Sequence, residues 1–311
     1  MLVLTSKKKR DFKAILFIAC TWVMQGHAEI RIQGDLGESI FSEPPKRVAA
    51  LSWELAENVI ELGVSPIAVP EITLYKEWVS KPSIPATSQD IGSRAEPNFE
   101  KLAQLKPDVI LITTTLKDIK PKLEKIAPVI FFDTYRADHN NATKADEVFL
   151  SIATLLDRKA QAEVKLQQRE STYQRLKNQL NKAFPDGLPK VTTMRFANTT
   201  SAYLYVDNSM PQYALEAIGI ENAISLKSSQ WGIIQKRLKF LRSINQGTVL
   251  YFQPFYQEDK LNRSPLWQAM PFVQQGKVAS IESTWTYGGA MSLQYLAESI
   301  TEALLKVTRT Q

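Results

Sequence analysis

Cysteine and histidine are almost missing from this 311-residue chain: there is one Cys, Cys20, and two His, His27 and His139. A lone cysteine forms no disulfide within the chain, and neither a Cys-based zinc site nor a His-rich metal cage can be assembled from so few ligands. Gly-rich phosphate loops, Gly-x-Ser-x-Gly elbows, His-Glu-x-x-His and Cys-x-x-Cys are absent too. A search for a nucleophile beside a base ends on His139 in the polar run Asp138-His139-Asn140-Asn141, which reads as a solvated loop. No enzyme, resident cofactor or protein-bound metal is expected. What is plentiful is apolar mass: 44% hydrophobic against 23% charged residues suffices for one large or two medium cores and excludes disorder and collagen.

The formal charge of +6 suggests a nucleic-acid partner, and its distribution removes that suggestion. Lys7, Lys8, Lys9, Arg10 and Lys13 precede an apolar run from Ala14 to Met24 and the small-residue ending Gly26-His27-Ala28. That order is the pattern of a cleavable signal peptide over residues 1–28. The apolar run is 11 residues, short of the roughly 20 that a membrane-spanning helix needs. Removal of residues 1–28 takes away five positive charges and one negative, leaving +2. Cys20 lies inside the apolar run, whereas a lipoprotein cysteine would end it, so lipidation is the minor reading. An exported protein with no nucleic-acid partner is expected.

From Arg47 onward, short β-branched runs alternate with helical periodicity, the pattern of βα units around mainly parallel sheets. Strands are expected at Val48 to Leu51, Ile67 to Val69, Val109 to Thr113, Val129 to Phe132, Val191 to Phe196, Thr248 to Phe252 and Val278 to Ile281. Leu55, Val59 and Leu62 mark the inner face of a first helix with Gly63 as its left-handed stop, and Pro97 opens another with Phe99, Leu102 and Leu105 inward. No Gly or Pro interrupts residues 144–183, so this stretch reads as two helices, the second capped by Asp157 and running to about Ala183. Further helices are expected near Pro211 to Ile218, Pro265 to Gln275 and Ala290 to Val307. The expected fold is α/β: an N-terminal lobe over residues 29–156, one long inter-lobe helix over 157–184, and a C-terminal lobe over 185–311. A cleft between the lobes is the natural place for a ligand.

An aromatic and arginine set falls between the expected elements: Trp78, Arg94, Trp231, Trp285 and Tyr287. Loops at strand ends facing a cleft are where α/β proteins carry binding groups; aromatic faces supply apolar contact and a guanidinium fork addresses oxygen clusters. Trp53, between a strand and its helix, and Trp267, in helix-forming sequence, read as core. Arg94 could equally form a structural ion pair with Asp90 or Glu96.

The phrases Trp78-Val79-Ser80 with Pro82, Asp90-Ile91-Gly92-x-Arg94-x-Glu96-Pro97-Asn98 and Leu105-Lys106-Pro107 resemble those of the periplasmic ferric-hydroxamate siderophore-binding proteins, substrate-binding components of ABC importers. So do residues 265–273, Pro-Leu-Trp-Gln-Ala-Met-Pro-Phe-Val, and Trp285-x-Tyr287-Gly288. The resemblance implies two α/β lobes joined by a rigid helix of the helical-backbone class. It implies a shallow aromatic cleft in which Arg94 donates to hydroxamate oxygens and Trp78, Trp231, Trp285 and Tyr287 line the walls. Iron would arrive already chelated. A monomer that docks on an inner-membrane ABC permease is implied, with Glu100 as the acidic contact on the N-terminal lobe. The corresponding C-terminal region, Gln235-Lys236-Arg237-Leu238-Lys239, is basic instead. Leu116 and Ile233 stand where the family often has polar cleft groups, which implies a greasier cleft. Cobalamin or haem binding on the same fold, and an enzyme or signalling module on it, are the alternatives.

Overall fold

Val48, Ala49 and Ala50 are fully buried, which a strand can be only in a sheet covered by helices on both faces. The computed structural model, which describes residues 29–227 and 229–309, builds its N-terminal half around such a sheet. An antiparallel hairpin, β1 (Ile30–Gly34) and β2 (Gly37–Phe41), precedes β3 (Val48–Ala50), α1 (Trp53–Glu61), β4 (Ala68–Val69), α2 (Ile72–Trp78), β5 (Gln89–Asp90), α3 (Phe99–Gln104), β6 (Val109–Ile112), α4 (Lys120–Leu123) and β7 (Val129–Phe131). The sheet order is β5-β4-β3-β6-β7, parallel throughout. After α5 (Asn141–Leu155), the 25-residue α6 (Lys159–Ala183) extends about 37 Å at 1.5 Å per residue.

The second lobe follows with β8 (Val191–Asn198), β9 (Ser201–Tyr205), α7 (Met210–Ala217), β10 (Ile233–Arg237), β11 (Thr248–Phe252), three short helices α8 (Glu258–Asn262), α9 (Pro265–Gln268) and α10 (Pro271–Gln274), β12 (Val278–Ile281) and α11 (Ser292–Arg309). Its order is β10-β9-β8-β11-β12. The pairs β8–β11 and β11–β12 are parallel, but β9 runs antiparallel to β8 and β10, so this sheet is mixed.

Several local expectations are corrected. Asp157 does not cap α6: its φ of +54° puts it in a left-handed turn, and the helix starts after Arg158. Pro97 is not helical but bridges to Gly92, and the α3 cap is Asn98, whose side chain accepts from Lys101 N at 2.9 Å. The single helix expected over Pro265 to Gln275 is two, because Pro271 brings no N–H to continue the first. Residues 1–28 lie outside the described residues.

The lobes meet at a joint between α1 and the turn that leads into α11. The Glu57 carboxylate accepts from Gly289 N at 3.0 Å and from the Ser292 hydroxyl, and Asn58 Oδ1 accepts from Ala290 N at 3.2 Å. One turn on, Glu61 accepts from Tyr295 and pairs with Lys165 of α6 at 2.6 Å. Any side chain at Gly289 would run into the Asn58 amide, so glycine is required by close approach rather than by its dihedral. Arg169 of α6 completes the joint, donating to Ala290 O at 3.0 Å while bonded to Asp146 at 2.6 and 2.7 Å.

Two expectations follow from this joint. A continuous α6 without Gly or Pro, reinforced by buried polar bonds, resists hinge bending. Solution scattering curves with and without ligand should superpose; compaction by several ångströms would contradict a stiff joint. Burial raises the Glu57 carboxyl from 4.5 to about 8 against the lowering effect of its Ser292 and Gly289 bonds. The folded chain therefore keeps a proton that the unfolded chain has lost between those values, and stability falls as pH rises through that window. Glu57→Gln, which cannot titrate, should show a flatter melting temperature across it than the parent; equal slopes would assign the pH dependence elsewhere.

Candidate functional site

Arg94 sits on a turn that its neighbours dictate. Asp90 spans it, Oδ1 accepting from Gly92 N and Oδ2 from Ile72 N, both at 2.8 Å, and Gly92 adopts φ +88°. The acid that pairs with Arg94 is neither Asp90 nor Glu96 but Glu71, which accepts from Arg94 Nε at 2.6 Å and from its backbone N at 3.3 Å. The guanidinium lies over the Trp53 ring, 3.7 Å from its centroid, and 5.7 Å from that of Trp285. Among the described residues no protein acceptor bonds its two Nη groups, so one edge of the fork is committed and the other is available.

Trp53 is core, as expected, and is also the floor on which the site rests. It is buried, donates Nε1–H to Pro70 O at 3.0 Å, and meets Trp285 edge-on at 4.7 Å. From there a run of edge-on rings crosses the cleft: Trp285 to Tyr287 at 5.4 Å, then Tyr287 to Trp231 at 5.6 Å. Trp231 stacks at 5.1 Å on Tyr135, which comes from the other lobe and donates to Gly288 O at 2.7 Å. Trp231 can hold this place because Gly232, at φ +65°, lets the chain pass against the backbone of Asn208 and Ser209, where a side chain would collide.

These groups enclose a cavity of about 300 Å³ lined by Arg94, Trp231, Trp285 and Tyr287, four of the five residues singled out in the sequence. Leu51, Ser52, Glu54, Thr113, Thr115 and Ile233 complete it. Trp78, the fifth, does not line the cavity; it ends α2, partly buried against the N-terminal core, with Arg195 5.7 Å from its ring. Leu116 does not face the cleft either: it is buried in the core beneath β6, and its neighbours Thr113 and Thr115 face the cavity instead. Ile233 does face the cavity.

Three residues of this region were missed. Arg195, on β8, lies over the Tyr203 ring at 4.9 Å, and its Nε is buried without a hydrogen-bond partner. Its charge acts on the hydroxyls of Tyr205 and Tyr287. A lone arginine inside the apolar run Val191 to Phe196 was the available signal. Tyr135 and Glu54 carried none, since an aromatic after a strand and an acid in a first helical turn are ordinary there. His139, expected in solvent, is half-buried with Nε2 unpartnered, and no group of three or more His, Cys, Asp or Glu among the described residues is placed to hold a metal ion. Glu100 is exposed in the first turn of α3.

The family model described as periplasmic binding protein matches residues 48–284. The solved structure of the siderophore-binding protein FhuD from Vibrio cholerae, with Fe3+-Desferal bound, is 48% identical, superposes with a TM-score of 0.83, and covers 84% of this chain and 98% of its own. The iron(3+)-hydroxamate-binding protein FhuD of Escherichia coli (strain K12) is 28% identical over 262 residues, 84% of this chain and 87% of that protein. The Fe(3+) dicitrate-binding periplasmic protein FecB of the same strain is 23% identical over 321 residues, 96% and 97% of the two chains.

Proposed function

The chain belongs to the periplasmic binding protein family, and we propose that it captures an iron(III) siderophore of the hydroxamate type in the inter-lobe cavity and hands it to an ABC permease. It is a binding protein and not an enzyme. The observation that carries the ligand class is the Arg94 guanidinium laid on Trp53 with one edge bound to Glu71 and the other facing an aromatic cavity. A ferric trishydroxamate presents the matching surface: a cluster of partly negative oxygens surrounded by methylene chains, which take apolar contact from Trp231, Trp285 and Tyr287. Arg195 and Trp78 extend the rim of the site. The chelate brings all the iron ligands, so the cavity needs neither thiolate nor imidazole. A leader over residues 1–28 cleaved in export to the periplasm, lobes over 29–156 and 185–311 joined by 157–184, a monomeric state, and Glu100 as the permease contact of the first lobe belong to the same reading.

Titration of the exported form, following tryptophan fluorescence, with ferric complexes of hydroxamate, catecholate and citrate chelators, and with haem and cobalamin, tests the ligand class. Strong quenching that saturates with the hydroxamates is expected, and saturation by haem or cobalamin alone would refute it. Arg94→Lys keeps a charge but loses the planar fork. It should weaken hydroxamate binding by roughly ten- to hundredfold, the worth of a charge-assisted pair of about 1.5–3 kcal/mol. Unchanged affinity would leave Arg94 only its bond to Glu71. Glu100→Lys should preserve affinity while lowering iron uptake by cells, as a rim charge governs partner association; normal uptake would move docking to other residues.

A further inference from the structure

Glu54 is the acidic side chain of the cavity lining. It follows Trp53 in the first turn of α1, held toward the cleft because Trp53 and Leu55 on either side are buried. Its polar partners are all neutral: its own backbone, Ser52, and the Thr134 hydroxyl, which donates at 3.4 Å. Among the described residues no Lys, Arg or His lies within ion-pair distance of it. Arg94 acts on it from further away, but that guanidinium is already bonded to Glu71 at 2.6 Å. The Arg94 end of the cavity thus holds two carboxylates, Glu54 and Glu71, against one guanidinium. The remaining ionisable neighbours do not redress this: Glu57 and the Tyr135 phenol feel the Glu54 charge and are each raised by burial toward their neutral or protonated forms. Arg195 reaches the cavity only from the β8 side, where its charge acts on the hydroxyls of Tyr205 and Tyr287, and Glu54 is not among the groups that act on it. Burial likewise raises the carboxyl of Glu54 itself, so its charge is costly until a cation arrives.

We propose that Glu54 makes the cavity selective for ferric chelates that carry a protonated amine, which its carboxylate would receive, over otherwise identical neutral chelates. A ligand ammonium at this place supplies the counter-charge that the protein withholds, and an anionic chelate is repelled by the same group. The inference rests on the hydroxamate reading of the cavity.

The test uses two probes that differ in one charge: the iron(III) complex of desferrioxamine B, a linear trishydroxamate ending in a primary amine, and that of its N-acetyl derivative. At neutral pH the parent protein should bind the amine form about tenfold more tightly, and Glu54→Gln should bring the two affinities within about twofold, mainly by weakening the amine form. Retained binding of the acetylated chelate by Glu54→Gln shows that the variant is folded. An equal preference in parent and variant, or no preference in the parent, would overturn the role of Glu54 while leaving the hydroxamate reading intact. So would a joint fall of both affinities as pH rises, which would make Glu54 a neutral donor. If the parent binds neither probe, the hydroxamate reading fails and this inference falls with it.

Discussion

The buried bond between the Glu57 carboxylate and the turn Gly289 to Ser292 is the contact on which the rest of the molecule depends. It joins the first helix of one lobe to the last helix of the other, and it does so without a cation: two donors, a backbone N–H and a hydroxyl, face one carboxylate. Both donors address Oε2 while Oε1 is buried without a hydrogen-bond partner, so losing either donor would leave still more of the buried acid unsatisfied, at a cost larger than the bond itself contributes. Its consequence for the site is positional. Trp285 and Tyr287 precede this turn by a few residues, so fixing the turn on α1 fixes both rings relative to Trp53 and Arg94. The cleft is therefore preformed, and binding need not spend energy on ordering its walls.

How much of this was legible in the sequence depended on whether the signal was local. The buried strands at Val109 to Ile112 and Thr248 to Phe252 were readable because an apolar β-branched run between helical segments has few other uses. The hairpin β1–β2, the short α2 and the antiparallel strands β9 and β10 were not anticipated. Ser201–Tyr205 and Ile233–Arg237 mix polar and apolar residues, and only their pairing in register, Ile234 opposite Leu204 for example, makes strands of them. Tertiary partners decided those cases, as β propensity alone seldom does.

The site divides along the same line. Arg94, Trp231, Trp285 and Tyr287 were found because large aromatic and charged side chains in loops stand out, and they converge on one cavity. What could not be read was the partner of each. Arg94 has two acids within four residues in sequence, yet the one it uses is Glu71, 23 residues away, because the left-handed backbone at Glu71, φ +52°, and the Asp90 turn bring the two loops together. Leu116 fails for a related reason. The residues 114–119 wind as a tight helical turn after β6, and that winding, invisible to a count of residues from the strand, turns Leu116 inward and Thr113 and Thr115 toward the cavity.

Three acids on α1, Glu54, Glu57 and Glu61, lie at spacings of three and four residues and so share one face of the helix. The same side chain on the same face meets three environments. Glu61 has an ammonium, Lys165, at 2.6 Å and a phenol, Tyr295, so its charge is compensated within the protein. Glu57 has only neutral donors, and burial pushes its carboxyl up to about 8. Glu54 has neutral donors and, among the described residues, no cation within ion-pair distance, and it alone of the three lines the cavity. Along this helix the three acids meet different partners: a cation and a phenol at Glu61, two neutral donors on one oxygen of Glu57 with its Oε1 buried and unpartnered, and neutral donors with the more distant Arg94 at Glu54. What sets Glu54 apart is its position: of the three it alone faces the cavity, so it is the one acid on this helix whose missing counter-charge a ligand can supply.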